Sequence, residues 1–283
     1  MTIIVDDKTI SCSNMDMVGI LERRAAGEPL KSLAAELGLS WQRLWTLLYP
    51  PAAQEALPAL RPDGQAGSLV ERYRPTRLDA IWGQAQVVKV LRRFAARPYP
   101  TAFVFEGGTG TGKTSAALAL AAELGCDLAQ KEFGGVRVIA SGEQSADAVR
   151  EAYRQMHNCP WAGSGWKVVV VNEADRMARP AETIWLDVLE AIPGKTVIVF
   201  TTNEAGRLSQ RFLDRCTRLA FESDAARLRA SATAFASAVW KAETGKRPEA
   251  AKVQRLVQAA EADGQLSFRR VAQGLTVALG QEN

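Results

Sequence analysis

The 283-residue sequence has only one histidine, His157, and four scattered cysteines, Cys12, Cys126, Cys159 and Cys216. No cysteine belongs to a CxxC or CxxH pair, which argues against a zinc site and a disulfide framework. The thiols read as reduced, in a cytoplasmic protein. A lone histidine in a polar helical segment reads as a surface residue, so histidine-based catalysis is set aside. No apolar run approaches the roughly 20 residues that cross a bilayer, so no membrane partner is expected. The opening MTIIVDDKTISCS lacks a basic start and a long apolar stretch, so no secretory leader is expected either. Charge of one sign is not strongly in excess: 35 Lys/Arg face 31 Asp/Glu, for a net charge of +4. Residues 1–68 hold six Lys/Arg against eight Asp/Glu, and the remainder holds 29 against 23. The larger part is therefore mildly basic, which permits nucleic-acid binding without demanding it.

What is present is organised in blocks. The stretch YPPAAQEALPALRPDGQAGS, residues 49–68, is rich in proline and poor in periodicity, and reads as a linker. The expected domains are a helical N-terminal domain over 1–52, a linker over 53–68, a nucleotide-binding core over 69–221 and a helical lid over 222–283. After residue 69, β-rich runs at 102–106, 136–140, 167–171, 196–201 and 217–221 alternate with helical patterns near 84–96, 113–124, 145–157, 180–191 and 206–214. Central runs such as KVVVV are continuously apolar, as in a parallel strand covered on both faces. The fold class expected is α/β, a parallel sheet with helices on both sides. Beyond residue 222 the β signal disappears, and helices near 223–243, 248–262 and 267–280 predict an all-α appendage.

The strongest motif is Gly107-Gly108-Thr109-Gly110-Thr111-Gly112-Lys113-Thr114, which fits G-x-x-x-x-G-K-[ST] between a strand and a helix. Its glycines let successive backbone N–H groups face an anion, and the following helix adds its positive end. Lys113 would reach the β- and γ-phosphates of ATP, and the Thr114 hydroxyl would ligate Mg²⁺, with Ser115 completing the phosphate-binding set. A second element, KVVVVNEADRM over 167–177, delivers Asn172 and Glu173 at a strand's carboxyl end. Glu173 is the candidate base for the attacking water, and both residues are candidate metal-side ligands. Asn172 stands where an acid is usual; it keeps an acceptor oxygen but brings no negative charge. Asn203, ending TVIVFTTNE, is a candidate for positioning the water or touching the γ-phosphate. Arg215, in LDRC, is solvated or reaches a neighbouring subunit's γ-phosphate.

Together with ERYRPTRLDAIWGQAQVVKVLRRF over 71–94, these motifs resemble an AAA+ ATPase of the clamp-loader clade, and are especially similar to replication factor C small subunits. The resemblance covers about residues 69–279. It implies an AAA+ P-loop core with a helical lid, Mg-ATP hydrolysis, action on DNA, and assembly with itself or homologous AAA+ subunits. It implies an adenine pocket lined by Tyr73, Arg74 and Pro75 and by Gly83 and Gln84. It further implies that Glu173 is the Walker B base, Asn203 the sensor-1 residue and Arg215 a finger acting in trans. SFRRVAQGL places the sensor-2 arginine at Arg269, with Arg270 as the alternative. The sequence departs from the family at Asn172, at Asp214 beside the finger, and at Leu186 and Asp187, where an arginine pair is usual. It also ends at residue 283, just after the lid, so a collar domain is not expected.

The N-terminal stretch 16–49 reads as three helices, the last two fitting a helix-turn-helix. Gly38 sits at the turn, Ala34 at the close helix contact, and Leu33, Leu37, Leu39, Leu44 and Leu47 at buried positions. Ser40 would cap a helix presenting Trp41, Gln42, Arg43 and Thr46 to a DNA major groove. The segment's slightly negative charge leaves protein docking or a structural bundle open. The whole supports two functions: a Mg-ATP-dependent motor acting on DNA in replication, repair or mobile-element transposition, or a weakly hydrolytic ATP-gated scaffold. Polypeptide threading is disfavoured, since no aromatic-hydrophobic pore loop lies between the second and third strands; the one candidate, NCPWAGSGW over 158–166, reads as a loop anchored by a packed Trp161.

Overall fold

The computed structural model describes residues 2–5, 8–11, 30–36, 38, 68–129, 135–158, 160 and 163–280. The chain divides into two compact units, Met1–Ala56 and Leu57–Asn283. In the first unit, strands β1 (Thr2–Val5) and β2 (Lys8–Ser11) pair as an antiparallel hairpin, which the helical reading of this region did not include. Helix α1 (Leu30–Glu36) buries Ala34, and Gly38 follows it at φ +65°, the left-handed conformation glycine adopts freely. Trp41, Gln42, Arg43 and Thr46, the proposed DNA-reading residues, lie outside the described residues.

The second unit begins with α2 (Leu69–Arg72) and α3 (Ala85–Ala96). Then come β3 (Thr101–Glu106), α4 (Lys113–Glu123), β4 (Val136–Ile139), α5 (Ala146–Met156) and β5 (Lys167–Val171). They continue with α6 (Arg179–Glu190), β6 (Thr196–Thr202), α7 (Gln210–Leu213) and β7 (Thr217–Ala220). The strands form one five-stranded parallel sheet in the order β4-β5-β6-β3-β7. Each step along this chain is a strand–helix crossover, which forces parallel pairing. The centre is buried on both faces, as the continuous apolar runs require: every residue of β6 is buried.

The two faces hold two cores. On one, Phe103 and Phe105 pack under α3 and α4, whose Ala116, Ala117, Ala119 and Ala121 are fully buried and let the helix lie close to the sheet. On the other, fully buried Trp185 of α6 meets Phe200 edge to face at 5.0 Å, and Phe200 meets Phe212 at 4.8 Å. The helix expected over 206–214 is split. A 3₁₀ turn, Ala205–Arg207, ends at Leu208, and the Ser209 hydroxyl caps α7 by accepting from Phe212 N at 3.4 Å.

The lid comprises α8 (Ala225–Thr244), α9 (Ala250–Ala259) and α10 (Phe268–Gly280). It is not all-α. Strands β8 (Glu261–Ala262) and β9 (Gln265–Leu266) form a hairpin between α9 and α10. Its turn, Asp263 at φ +52° and Gly264 at φ +71°, is the paired left-handed turn that Asp-Gly favours. Among the described residues no helix is long and apolar enough to cross a membrane.

Candidate nucleotide site

The carboxyl ends of β3, β5 and β6 converge on one cavity of about 400 Å³, lined on the far side by residues of the lid. Its polar end is the loop from Thr109 to Thr114, with Asn172, Glu173 and Asn203 facing it; its apolar end includes Tyr73, Pro75, Trp82, Phe235 and Phe268. The volume falls in the range of small-ligand sites, and the split between polar and apolar ends suits a nucleotide.

Three loop glycines are sterically required. Gly107 (φ +146°), Gly110 (φ +78°) and Gly112 (φ +99°) have positive φ, and a Cβ on Gly107 would stand 2.6 Å from the Phe221 carbonyl oxygen. Gly112 precedes α4, whose first N–H groups are directed at the loop, so an anion there meets both backbone donors and the helix dipole. Lys113 Nζ folds back over this loop. It donates to the Gly107 carbonyl at 2.7 Å, the Gly108 carbonyl at 2.8 Å and Asn203 Oδ1 at 2.9 Å. Burial lowers its pKa to about 8, with Arg269 adding to the decrease and Asp175 and Glu173 opposing it.

Thr114 Oγ1 donates to Asn172 Oδ1 at 2.8 Å, and Thr201 Oγ1 donates to the same oxygen at 3.3 Å. Glu173 occupies the left-handed region at φ +53°, ψ +52°, an uncommon conformation for a non-glycine residue and one that clusters at functional sites. Three contacts hold it there. Its N–H donates to Thr201 Oγ1 at 3.2 Å, and buried Gln144 donates Nε2 to the Asn172 carbonyl and, at 3.4 Å, to the Glu173 carbonyl. Its carboxylate pairs with Arg176 at 3.2 Å. Asp175 fixes the neighbouring strand end, accepting from Thr202 Oγ1 at 2.8 Å and from Asn203 N at 3.2 Å.

The structure thus brings Lys113, Thr114, Ser115, Asn172, Glu173, Asn203 and Arg269 to one cavity, with Tyr73, Arg74 and Pro75 at its apolar side. Gly83 and Gln84, expected in the adenine pocket, are not among its lining residues. Gly83 (φ +73°) abuts the lid, where a Cβ would stand 2.5 Å from Leu228 Cδ2. Buried Gln84 accepts from Glu222 N at 2.8 Å and donates to the Glu222 carbonyl at 2.9 Å, tying the core to the start of the lid. Arg215 also lies away from the cavity. It donates to the Arg211 carbonyl at 2.8 Å and pairs with Glu190. Arg270 is outside the cavity as well; its backbone N–H donates to Ser267 Oγ at 3.4 Å.

Sequence reasoning missed the aromatic wall and the lid latch. Trp82 of the core meets Phe235 of α8 at 6.0 Å, and Phe235 meets Phe268 of α10 at 5.7 Å. Glu243 of α8 accepts from Arg72 at 2.6 and 3.0 Å and from the Tyr73 hydroxyl at 2.5 Å. Burial, together with the Glu243 carboxylate, pushes the Tyr73 phenol well above its ordinary pKa. Glu243 lies 170 residues from Tyr73, so no local pattern signals the pair. Asp175 lies in the same motif as Glu173, but nothing local signals that it fixes the end of β6.

The oxygen donors of Thr114, Asn172 and Glu173 are the kind a hard divalent cation accepts. Among the described residues no group of three or more His, Cys, Asp or Glu side chains offers a metal cage. The set therefore suits Mg²⁺ brought with a polyphosphate better than a cation held by protein alone.

Residues 83–225, half of the chain, match the family model described as DNA polymerase III, delta subunit. The chain is similar to replication factor C subunit 3 of Saccharomyces cerevisiae, with 32% identity over 156 residues, covering 54% of this chain and 45% of that protein. It is 28% identical over 154 residues to the replication factor C small subunit of Methanosarcina barkeri, covering 54% and 46%. The chain spans about half the length of the curated relatives it matches. Among solved structures, the Thermotoga maritima RuvB Holliday junction branch migration motor shares the fold, with TM-score 0.58 and 18% identity, covering 74% of this chain and 65% of that one. The chain belongs to the DNA polymerase III delta subunit family, within the clamp-loader clade of AAA+ ATPases.

Proposed function

We propose that this chain is a Mg-ATP-dependent ATPase that acts on DNA as part of an oligomer, with ATP bound between subunits. The carrying observation is the convergence of Lys113, Thr114, Asn172, Glu173, Asn203 and Arg269 on one cavity with an aromatic far end. Lys113 would leave the Gly107 and Gly108 carbonyls to reach the phosphates, and the loop N–H groups and Arg269 would share their negative charge. Mg²⁺ would be held on Thr114 Oγ1, with Asn172 and Glu173 at its periphery, and would neutralise phosphate charge. The Glu173 carboxylate would take a proton from water as the water oxygen bonds the γ-phosphorus and the bond to the bridging oxygen breaks, giving ADP and phosphate. Asn203 would orient that water.

Arg215 lies outside its own subunit's cavity, which supports its reaching a neighbour's site once Glu190 releases it. Replication, repair and mobile-element transposition all fit such a motor, and the N-terminal unit would supply DNA or partner recognition through Trp41, Gln42, Arg43 and Thr46.

A second reading, a weakly hydrolytic ATP-gated scaffold, is favoured by one observation. Asn172 Oδ1 already accepts two hydroxyl donors and carries no charge, so it offers a metal less than an acid would. Steady-state ATP turnover with and without DNA, blanked by Glu173→Gln, separates the readings. DNA-stimulated turnover lost in the variant supports the motor, and tight ATP binding with turnover at the blank level supports the scaffold.

A further inference from the structure

The helix that precedes the phosphate loop has a surface that nucleotide chemistry does not use. Residues 80–105 contain Lys89, Arg92, Arg93 and Arg97 and no Asp or Glu. Helix α3 buries Val87, Leu91, Phe94 and Ala95 against the sheet, which turns the basic residues outward. Lys89 and Arg93 are four residues apart on the helix, with a rise of about 6 Å between them, and Arg97 continues their row from the C-cap position just past the helix end. Acidic groups reach only one flank. Asp79 pairs with Arg92, and Glu123 faces Arg77 and Arg92. Lys89, Arg93 and Arg97 make no ion pair among the described residues. The helix dipole accounts for basic residues in the last turn but not for Lys89 in the middle.

An aromatic residue stands at the end of this row. Tyr99 is 58% exposed, between Pro98 and Pro100, and its ring is propped edge-on against Phe94 at 5.3 Å. Val90, 41% exposed, adds apolar surface beside the charges. A row of unpaired cations with a propped, exposed ring is the combination that tracks a phosphate backbone while stacking a base. A protein partner of acidic character would use the charges but has no need of the ring.

We propose that the exposed face of α3, ending at Tyr99, is a docking surface for single-stranded nucleic acid. It rests on the reading of the chain as a DNA-acting protein, and names the part of the core that touches the strand. The test is fluorescence anisotropy of a labelled oligothymidylate with the full chain, across a salt series. The triple variant Lys89→Ala/Arg93→Ala/Arg97→Ala should weaken binding about tenfold or more and reduce the salt slope by about 2, the amount three lost single-strand contacts contribute. Tyr99→Ala should weaken binding by roughly tenfold while leaving the salt slope in place, and Tyr99→Phe should preserve affinity. Arg93→Glu is a single-site check should the triple variant not fold, and binding of a fluorescent ATP analogue reports that each variant retains its core.

An unchanged affinity and slope in the triple variant overturns the proposal, as does a wild-type chain that binds no oligothymidylate. Equal competition by polyglutamate, with Tyr99→Ala silent, would make the face an acidic-protein surface and also overturns it. So would loss of self-association in the triple variant with oligonucleotide binding restored at higher chain concentration, since the face would then be a subunit contact. The two readings fail separately. ATP turnover without oligonucleotide binding sinks this one alone, and binding through α3 without ATP turnover sinks the ATPase reading alone.

Discussion

Substitution of Gly110 by alanine probes how the lid is seated on the phosphate loop. Gly110 has φ +78°, and an added Cβ would lie 2.0 Å from Ser267 Oγ, 3.2 Å from Ser267 Cβ and 3.1 Å from Arg269 Cβ. The left-handed backbone costs alanine about 1–2 kcal/mol. Forcing the lid aside adds about 1–3 kcal/mol of overpacking. Displacement also stretches the bond from Phe268 N to the Gly110 carbonyl, now 3.1 Å, worth about 1 kcal/mol. Ser267 Oγ can rotate, which takes the overpacking to its low end while the two Cβ contacts remain, so the expected loss is about 3–4 kcal/mol. Urea denaturation measures it, and the melting temperature should fall by about 5–15 °C. In Gly110→Ala/Ser267→Ala the nearest obstruction is gone while the backbone strain persists. The double variant should therefore recover about 1 kcal/mol or more relative to additivity. Because Arg269 moves with the lid, Gly110→Ala should also weaken ATP binding. A variant within about 0.5 kcal/mol of wild type, or no coupling to Ser267→Ala, would refute the seated lid.

Three further outcomes follow from other contacts. Gln84→Ala strips partners from both the N–H and the carbonyl of Glu222 in a part-buried place, and should cost about 1–3 kcal/mol in urea denaturation. Glu243→Gln weakens the latch to Arg72 and Tyr73; as this pair is partly exposed, the stability loss should be only about 1 kcal/mol, with ATP affinity, read by calorimetry, reduced a few-fold at most. Burial raises the Cys126 and Cys216 thiols to about 12, so both should resist iodoacetamide at pH 8 in the native chain and react on unfolding, as mass spectrometry of the alkylated peptides would show. The sign for stability follows: the folded state holds those protons more tightly, so their contribution is present below pH 9 and is lost as pH rises from 9 towards 12.

Much of the core was legible because its signals are local. The KVVVV run became β5, Lys167–Val171, with the same bounds, and the helix after the glycine loop begins at Lys113 as expected. Gly107, Gly110 and Gly112 of the loop demand positive φ, a property of single residues, and the polar residues after each apolar strand fell together because parallel strands end on one edge. What was not legible depends on distant partners or on short elements. Gln84 was read with an adenine box, yet its side chain is taken up by Glu222, 138 residues away. The β8–β9 hairpin has two residues per strand, too few for a periodicity, although its Asp263-Gly264 turn carried a readable signal. The helix over 206–214 failed at Ser209, whose hydroxyl caps a new helix instead of continuing an old one. The aromatic wall of Trp82, Phe235 and Phe268 was likewise assembled only by folding, since its rings come from three segments.

The central claim is that the convergence around Lys113 and Glu173 hydrolyses ATP. Its most direct measurement is steady-state phosphate release by the purified full chain with Mg-ATP, alone and with single- and double-stranded DNA, against Glu173→Gln as the blank. The account predicts turnover above the blank that DNA increases, with ATP binding retained in the variant. Turnover equal to that of Glu173→Gln on every DNA, despite tight ATP binding, would contradict it.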